Sequence, residues 1–221
     1  MKRLILSIAV PLTILAAAGC GKPQPDQMSS GDAVTASVAA SETGTTEKKF
    51  QPFVIYKNKG TRDNHFVPSG FMPNGKCMTF EDTWKENCHD GSSCIKIVYD
   101  VACSREDQKW VGIYWLNPAN NWGSRKGGFD LTGAERLTFW ARGEKGGERI
   151  EEFKMGGITG DYPDTDTAVI GPVILTNEWQ QYTIDLRGKD LTYVSGGFGW
   201  STNVDVNPEN CVFYLDEIQY E

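Results

Sequence analysis

The segment from Trp110 to Gly123 constrains the fold more than any other stretch of this chain. Its first half alternates with a period of two residues and is rich in β-branched and aromatic side chains, which predicts a β-strand. The two faces of that strand carry Val111, Ile113 and Trp115 on one side, and Trp110, Gly112 and Tyr114 on the other. Because an apolar strand face must pack against another layer, the segment predicts a layered β-structure.

The alternation ends at Asn117-Pro118, where a polar loop with three asparagines and a further tryptophan begins. Flat apolar rings beside amide donors and acceptors suit a sugar, whose C–H faces are apolar and whose hydroxyl groups are polar. We therefore expect a glycan surface that includes Asn117, Asn120, Asn121 and Trp122. The alternative is that these tryptophans are ordinary core residues of a β-sandwich.

The rest of the chain predicts an all-β fold, an antiparallel β-sandwich with almost no helix. About nine short strand-like segments are separated by Gly, Asp and Asn, and long helical patterns are missing. Two of these predicted strands are Arg149–Met155 and Ala168–Leu175. The net charge is −7 and no basic cluster accompanies the aromatic residues, which makes nucleic acid an unsuitable partner.

The N-terminus has the features of an export signal. Lys2 and Arg3 precede an apolar run from Leu4 to Ala18, which is short for a membrane span. The residues before Cys20 resemble the lipobox of bacterial lipoproteins, although Ala17 stands where leucine is usual. The resemblance implies a signal peptide over residues 1–19, a lipid on Cys20, and attachment to the outer membrane, since Gly21 replaces the aspartate of an inner-membrane retention signal. An ordinary secretory leader is the alternative.

Residues 20–49 are predicted to form a flexible linker. The segment from Gly21 to Lys49 contains Pro, Gln, Ser, Thr, Ala and Gly but no aromatic residue, so it cannot bury enough surface to fold. A chain of this length spans roughly 30 Å. The folded domain is therefore expected to comprise residues 50–221, held away from the lipid surface.

Five cysteines follow Cys20, and an oxidising compartment would allow them to form disulfides. Cys88 and Cys94 flank the turn signal Asp90-Gly91, which predicts a bridge between them. Cys77 with Cys103 is the second predicted pair. Cys211 would then remain a free, buried thiol.

Several segments, in this order along the chain, resemble the jelly-roll carbohydrate-binding modules of the galactose-binding-like group. They are Phe129–Ala134, Leu137–Gly143, Glu178–Leu186 and Phe213–Ile218. The segments NHFVPSG, YWLNPANNWG and GGFGW are also typical of uncharacterised bacterial lipoproteins. The resemblance covers roughly Phe50 to the C-terminus and implies a jelly roll that binds polysaccharide.

Alternation within strands predicts one aromatic binding face. Trp140 and Arg142 share a strand face, and Trp200 shares one with Phe198. We expect a single concave sheet lined by Trp110, Tyr114, Trp140 and Trp200, with Arg142 and Glu152 among them. The alternative is that loops cover this sheet and that its tryptophans form a second core layer.

A structural calcium ion is expected at Asp216. Alternation places this carboxylate in a largely apolar row of the last strand, where an uncompensated charge would be costly. A cation or a set of hydrogen-bond partners must offset that cost, and oxygen ligands suit calcium. The resemblance to jelly-roll modules implies such an ion and points to Glu81 as a second ligand.

Residues for catalysis are sparse, since His65 and His89 are the only histidines and neither lies in a nucleophile motif. We therefore expect a non-catalytic, outer-membrane-anchored domain that binds polysaccharide or another glycan. A structural or protein-interaction lipoprotein of the cell envelope is the second interpretation. A glycan-cleaving enzyme is the third, because a protein with many acidic residues always offers pairs of carboxylates.

Overall fold

The computed structural model describes residues 49–73, 75–106 and 108–221. The predicted signal peptide, Cys20 and the predicted linker up to residue 48 lie outside the described residues. Thirteen strands and one short helix occur in the described part of the chain. They are β1 Phe53–Tyr56, β2 Val67–Met72, β3 Met78–Trp84, β4 Cys94–Tyr99, α1 Val101–Arg105, β5 Trp110–Leu116, β6 Arg136–Gly143, β7 Arg149–Ile150, β8 Glu152–Gly156, β9 Thr167–Ile170, β10 Val173–Ile174, β11 Gln180–Asp185, β12 Gly196–Asn203 and β13 Cys211–Tyr220.

Two antiparallel sheets form the layers of a sandwich. Sheet I has the strand order β11-β6-β13-β4-β3, and β1 also pairs with β13. Sheet II has the order β2-β5-β12-β8-β9, and β7 and β10 form a separate two-stranded ribbon. The predicted all-β sandwich is therefore confirmed, and the prediction of almost no helix fits α1, which is five residues long.

The core lies between the inner faces of the two sheets. Trp115 and Phe198 of sheet II meet with ring centroids 5.3 Å apart, and Trp200 meets Phe213 of sheet I at 4.8 Å. All four side chains are fully buried. Because burying such a side chain contributes about 1.5–3 kcal/mol, this aromatic layer is a main source of stability.

The structure divides two segments that alternation predicts as single strands. Arg149–Met155 is interrupted at Glu151, where the chain leaves the β7–β10 ribbon and enters sheet II as β8. Ala168–Leu175 is interrupted by Gly171-Pro172. Gly171 has φ of 151°, and a Cβ atom there would overlap the carbonyl oxygen of Glu151. The sequence pattern does not predict strand β2, because Pro68 and Gly70 are poor strand formers. In the structure both residues lie at a sheet edge, next to a bulge in the pairing with β5.

Both predicted disulfides are confirmed. Cys77 bonds to Cys103 and Cys88 bonds to Cys94, with Cα–Cα distances of 5.5 and 5.4 Å. Cys211 is a buried free thiol, as expected, and burial raises its pKa to about 12. Within the described residues, no helix is both long and apolar enough to cross a bilayer.

Candidate functional site

The outer face of sheet II combines aromatic, glycine and polar residues on neighbouring strands, and we call this surface the sheet II groove. Strand register sets its layout, since Tyr114 lies beside Gly199 and then Lys154, and Gly112 lies beside Ser201 and then Glu152. One step further along β5 and β12, Trp110 pairs with Asn203. The groove therefore consists of the outward residues of three adjacent strands: Trp110, Gly112, Tyr114, Glu152, Lys154, Gly199, Ser201 and Asn203.

Two glycines keep the floor of the groove low. A Cβ atom on Gly199 would lie 3.0 Å from the ring of Tyr114, and one on Gly112 would lie 3.1 Å from Cε of Met72. These distances are shorter than ordinary van der Waals contacts, so a side chain at either position would displace its neighbours. The glycines thus leave room for the Tyr114 ring to lie low across the sheet.

Tyr114 supports the groove, and Trp122 presents the accessible ring. Tyr114 is only 4% exposed and its hydroxyl donates a hydrogen bond to the carbonyl of Gly156 at 2.8 Å. Burial raises the pKa of this hydroxyl well above its ordinary value, so it remains a neutral donor. Trp122 is 44% exposed and meets Tyr114 edge-to-face, with centroids 5.9 Å apart. An apolar ring held in this way can stack against a ligand.

The polar side of the groove contains both hydrogen-bond donors and acceptors. The Glu152 carboxylate lies 2.8 Å from Nζ of Lys154 and accepts a hydrogen bond of 3.2 Å from Oγ of Ser201. Lys154 Nζ is also 5.4 Å from the centroid of the Tyr114 ring. All three polar residues are partly exposed. A hydroxyl-rich ligand could therefore exchange hydrogen bonds with them while it contacts Trp122.

The loop asparagines mainly hold the loop that carries Trp122. Asn121 is fully buried, and its amide both donates to and accepts from the backbone of Arg125. The Asn117 amide donates to the carbonyl of His65 and accepts from the amide of Gly128. Asn120 is exposed, with φ of 57°, and its backbone N–H donates to Ser69. Of the four loop residues predicted to contact a ligand, Asn120 and Trp122 remain candidates. The side-chain amides of Asn117 and Asn121 already form hydrogen bonds within the protein.

Trp200 does not belong to the groove. It is fully buried between the sheets, where it contacts Phe213, so the prediction that it lines the same surface as Trp110 and Tyr114 is wrong. The outward positions of β12 are occupied by Gly199, Ser201 and Asn203 instead. Alternation correctly groups Trp200 with Phe198 but does not tell which of the two faces of β12 meets the core.

Trp140 and Arg142 are also absent from the groove, because β6 belongs to sheet I. The guanidinium of Arg142 lies 3.8 Å from the ring centroid of Tyr214 and 5.5 Å from that of Trp179. Trp140 stacks against His89 with centroids 3.7 Å apart. The predicted single face is therefore two faces on opposite sides of the sandwich. The outer face of sheet I holds a line of side chains that we call the cation–aromatic row: Trp84, Lys96, Tyr214, Arg142 and Trp179.

Hydrogen bonds account for the buried carboxylate of Asp216. It accepts backbone N–H groups from His89 and Asp90, each at 3.1 Å, and from Glu217 at 2.9 Å. Burial raises its pKa to about 7 while these hydrogen bonds oppose the shift. Glu217 has φ of 48° at a bulge, which turns Ile218 and Tyr220 inward whereas Asp216 faces outward.

These surroundings do not fit the expected calcium ion. Three N–H donors point their positive ends at Asp216, and β4 separates the strand of Glu81 from that of Asp216. In residues 49–73, 75–106 and 108–221, no group of three or more His, Cys, Asp or Glu side chains is placed to hold a metal. Calcium stays a prediction. If chelation of calcium does not change the melting temperature, the three hydrogen bonds alone explain the buried carboxylate of Asp216.

Two surface depressions lie away from both faces of the sandwich. One is lined by Phe50, Pro52, Arg136 and Glu221, and the other lies beside it at Asp185 and Arg187. Arg136 already forms an ion pair with Glu221, and Arg187 forms one with Asp185. Their charged groups are thus paired with each other, and the sheet II groove remains the better candidate.

Comparison with known proteins bears on the fold. No family model matches this chain, and no curated protein matches it. The structure is similar to that of a family 30 carbohydrate-binding module, with 15% sequence identity, coverage of 77% of this chain and 98% of that chain, and a TM-score of 0.50. The fold is a jelly roll like that of carbohydrate-binding modules.

Two further jelly rolls show lower scores. The family 30 module of a cellulosomal cellulase of Clostridium thermocellum has 17% identity over 77% of this chain and 97% of that one, with a TM-score of 0.47. The family 11 module of another cellulosomal cellulase from the same organism has 12% identity over 77% and 94%, with a TM-score of 0.46. At such identities the likeness concerns the fold alone.

Proposed function

We propose that this protein binds carbohydrate in the sheet II groove and catalyses no reaction on it. The observation that carries the proposal is that the exposed ring of Trp122 and Nζ of Lys154 both lie close to the ring of Tyr114. Glu152 adds an acceptor there, since its carboxylate contacts both Lys154 and Ser201. The similar structures are carbohydrate-binding modules by name, which supports the same type of ligand here.

The chemistry of the groove matches that of a sugar. The apolar face of a pyranose ring would stack on Trp122, and its hydroxyl groups would exchange hydrogen bonds with Glu152, Lys154 and Ser201. Trp122 is 44% exposed, and Glu152, Lys154 and Ser201 are partly exposed, so all four side chains are accessible to a ligand. Binding requires no chemical step, so no nucleophile or base is assigned.

The proposal includes an envelope location. The export signal and Cys20 would supply a lipid anchor in the outer membrane, and the linker would let the groove reach polysaccharide beyond the lipid surface. Cys20→Ala should then release the chain from the membrane fraction or leave the precursor uncut. Unchanged fractionation of that variant would contradict the anchor without affecting the groove.

A glycan screen tests the binding function directly. The full chain, purified in mild detergent, should bind defined polysaccharides or oligosaccharides on an array. The control variant is Gly199→Val. Its valine side chain would press against the Tyr114 ring and fill part of the groove. Loss of the signals from neutral glycans in this variant, with an unchanged circular dichroism spectrum, supports the groove as the site. Equal binding by both proteins would place the site elsewhere, and capture of a protein partner with no glycan signal would reject the proposal.

A further inference from the structure

The cation–aromatic row on sheet I alternates rings with positive charges. Nζ of Lys96 lies 3.7 Å from the ring centroid of Trp84 and 5.8 Å from that of Tyr214. The Arg142 guanidinium covers the same Tyr214 ring at 3.8 Å. Two cations thus flank one ring on the surface of a protein whose net charge is −7. Such a concentration of positive charge on an acidic protein is suited to an anion.

The two cations differ in their carboxylate partners. Among the ion pairs formed by the described residues, Lys96 takes part in none. The Arg142 side chain is only 8% exposed, and its nearest carboxylate is that of Glu144, 3.8 Å from Nη1. Nε of Arg142 is buried without a hydrogen-bond partner. Because an unsatisfied buried donor is unfavourable, this atom indicates a missing acceptor.

Glu144 shows how a carboxylate can approach the row. Its Oε2 accepts a hydrogen bond of 2.7 Å from the hydroxyl of Tyr214 and faces Arg142 at the longer distance given above. The Glu144 side chain is 47% exposed, so it can turn into solvent at little cost. A carboxylate supplied by a ligand could then take its place beside Arg142 and the hydroxyl of Tyr214.

We propose that the cation–aromatic row is a second glycan site, one that binds the carboxylate of an acidic sugar, a uronate. Arg142 and Lys96 would bind the carboxylate, and the half-buried rings of Trp84 and Trp179 would contact the apolar face of the sugar. The site lies on the opposite side of the sandwich from the sheet II groove, where Glu152 already supplies a negative charge. It therefore stands independently of the function proposed for the groove.

A matched pair of ligands isolates the carboxylate. Oligogalacturonate and its methyl ester share the same rings and differ only at the carboxyl group, which is charged in the acid and is a neutral methyl ester in the other. In calorimetric titrations of the full chain, the acid form should bind about tenfold or more tightly than the ester, as expected for charge-assisted hydrogen bonds. Lys96→Gln should weaken the acid form by a similar factor, whereas Glu144→Gln should strengthen it by removing the competing carboxylate.

Two controls separate this site from the groove. Lys154→Gln removes a groove cation of the same type, and Gly199→Val fills the groove; both variants should keep the preference for the acid over the ester. Equal affinity for acid and ester, insensitivity to both Lys96→Gln and Glu144→Gln, or loss of that preference in either control would overturn the proposal. Tighter binding of a sulfated oligosaccharide than of the uronate would also overturn it, because the site would then select sulfate. Lys96 and Glu144 are both partly exposed, so their variants should fold. The test therefore does not depend on variants of the buried Arg142, which could fail to fold.

Discussion

The two outer faces of the sandwich use aromatic residues in different ways. On sheet II, glycines at 112 and 199 leave the sheet low, and the exposed ring of Trp122 rests on the buried ring of Tyr114. On sheet I, rings and cations cover one another, and Trp140 lies beneath His89 in the loop that the Cys88–Cys94 disulfide closes. On sheet II, the glycines leave room for the neutral ring of a sugar. On sheet I, the stacked side chains bring the positive charges of Lys96 and Arg142 onto one face. The same residue types therefore favour different ligands.

The largest expected effect distinguishes the core from both faces. Trp200→Ala should lower the free energy of unfolding by about 3–5 kcal/mol, because it opens a cavity beside Phe213. Trp200→Phe should cost less, since the indole nitrogen of Trp200 has no hydrogen-bond partner to lose. Chemical denaturation measures both values. If the Trp200→Phe protein folds but no longer binds glycan, the conclusion that Trp200 acts only in the core is wrong.

A smaller effect is expected at the accessible ring of the groove. Trp122→Ala should weaken glycan binding by about 1–3 kcal/mol, by analogy with stacking on other ring ligands. Since Trp122 is 44% exposed, the free energy of unfolding should change little. Ile174→Ala, which removes an exposed apolar side chain on β10, is the control and should leave binding intact. Titration of the best ligand from the screen gives the affinities, and an unchanged Kd for Trp122→Ala would contradict the stacking role.

This contrast also explains which features the sequence predicts. Alternation in Trp110–Leu116 is a local property, so the strand and its inward Ile113 and Trp115 follow from it directly. The Cys88–Cys94 bridge likewise depends on a short connection. Whether Trp200 and Tyr114 face the same side depends on how β12 pairs with β5, which is a long-range property that alternation does not contain.

The cation–aromatic row was missed for a related reason. Trp84 ends β3 beyond a bulge, and Trp179 precedes β11, so neither belongs to a regular alternating pattern. They meet Tyr214 only because β3, β4, β13 and β6 lie side by side in sheet I. Cysteine spacing gives one local signal, since the 88–94 bridge closes a loop directly after Asn87, whose carbonyl accepts the indole N–H of Trp179.

The last expected effect depends on pH and concerns the buried carboxylate of sheet I. Burial raises the pKa of Asp216 to about 7 from its ordinary 3.8, so between these values the native state holds a proton that the unfolded chain releases. The free energy of unfolding contributed by Asp216 should therefore fall as pH rises from about 4 to 7, and the loss should be complete above pH 7.

Asp216→Asn removes this titration, so the parent should lose stability relative to the variant between pH 5 and pH 8. Asp185→Asn is the control, because Arg187 lowers the pKa of that exposed carboxylate to about 2 and its difference curve should be flat in this range. Denaturation at several pH values measures both curves. A flat curve for Asp216→Asn would mean that the three N–H donors from the loop and from Glu217 keep Asp216 ionised throughout, and would make this end of sheet I insensitive to neutral pH.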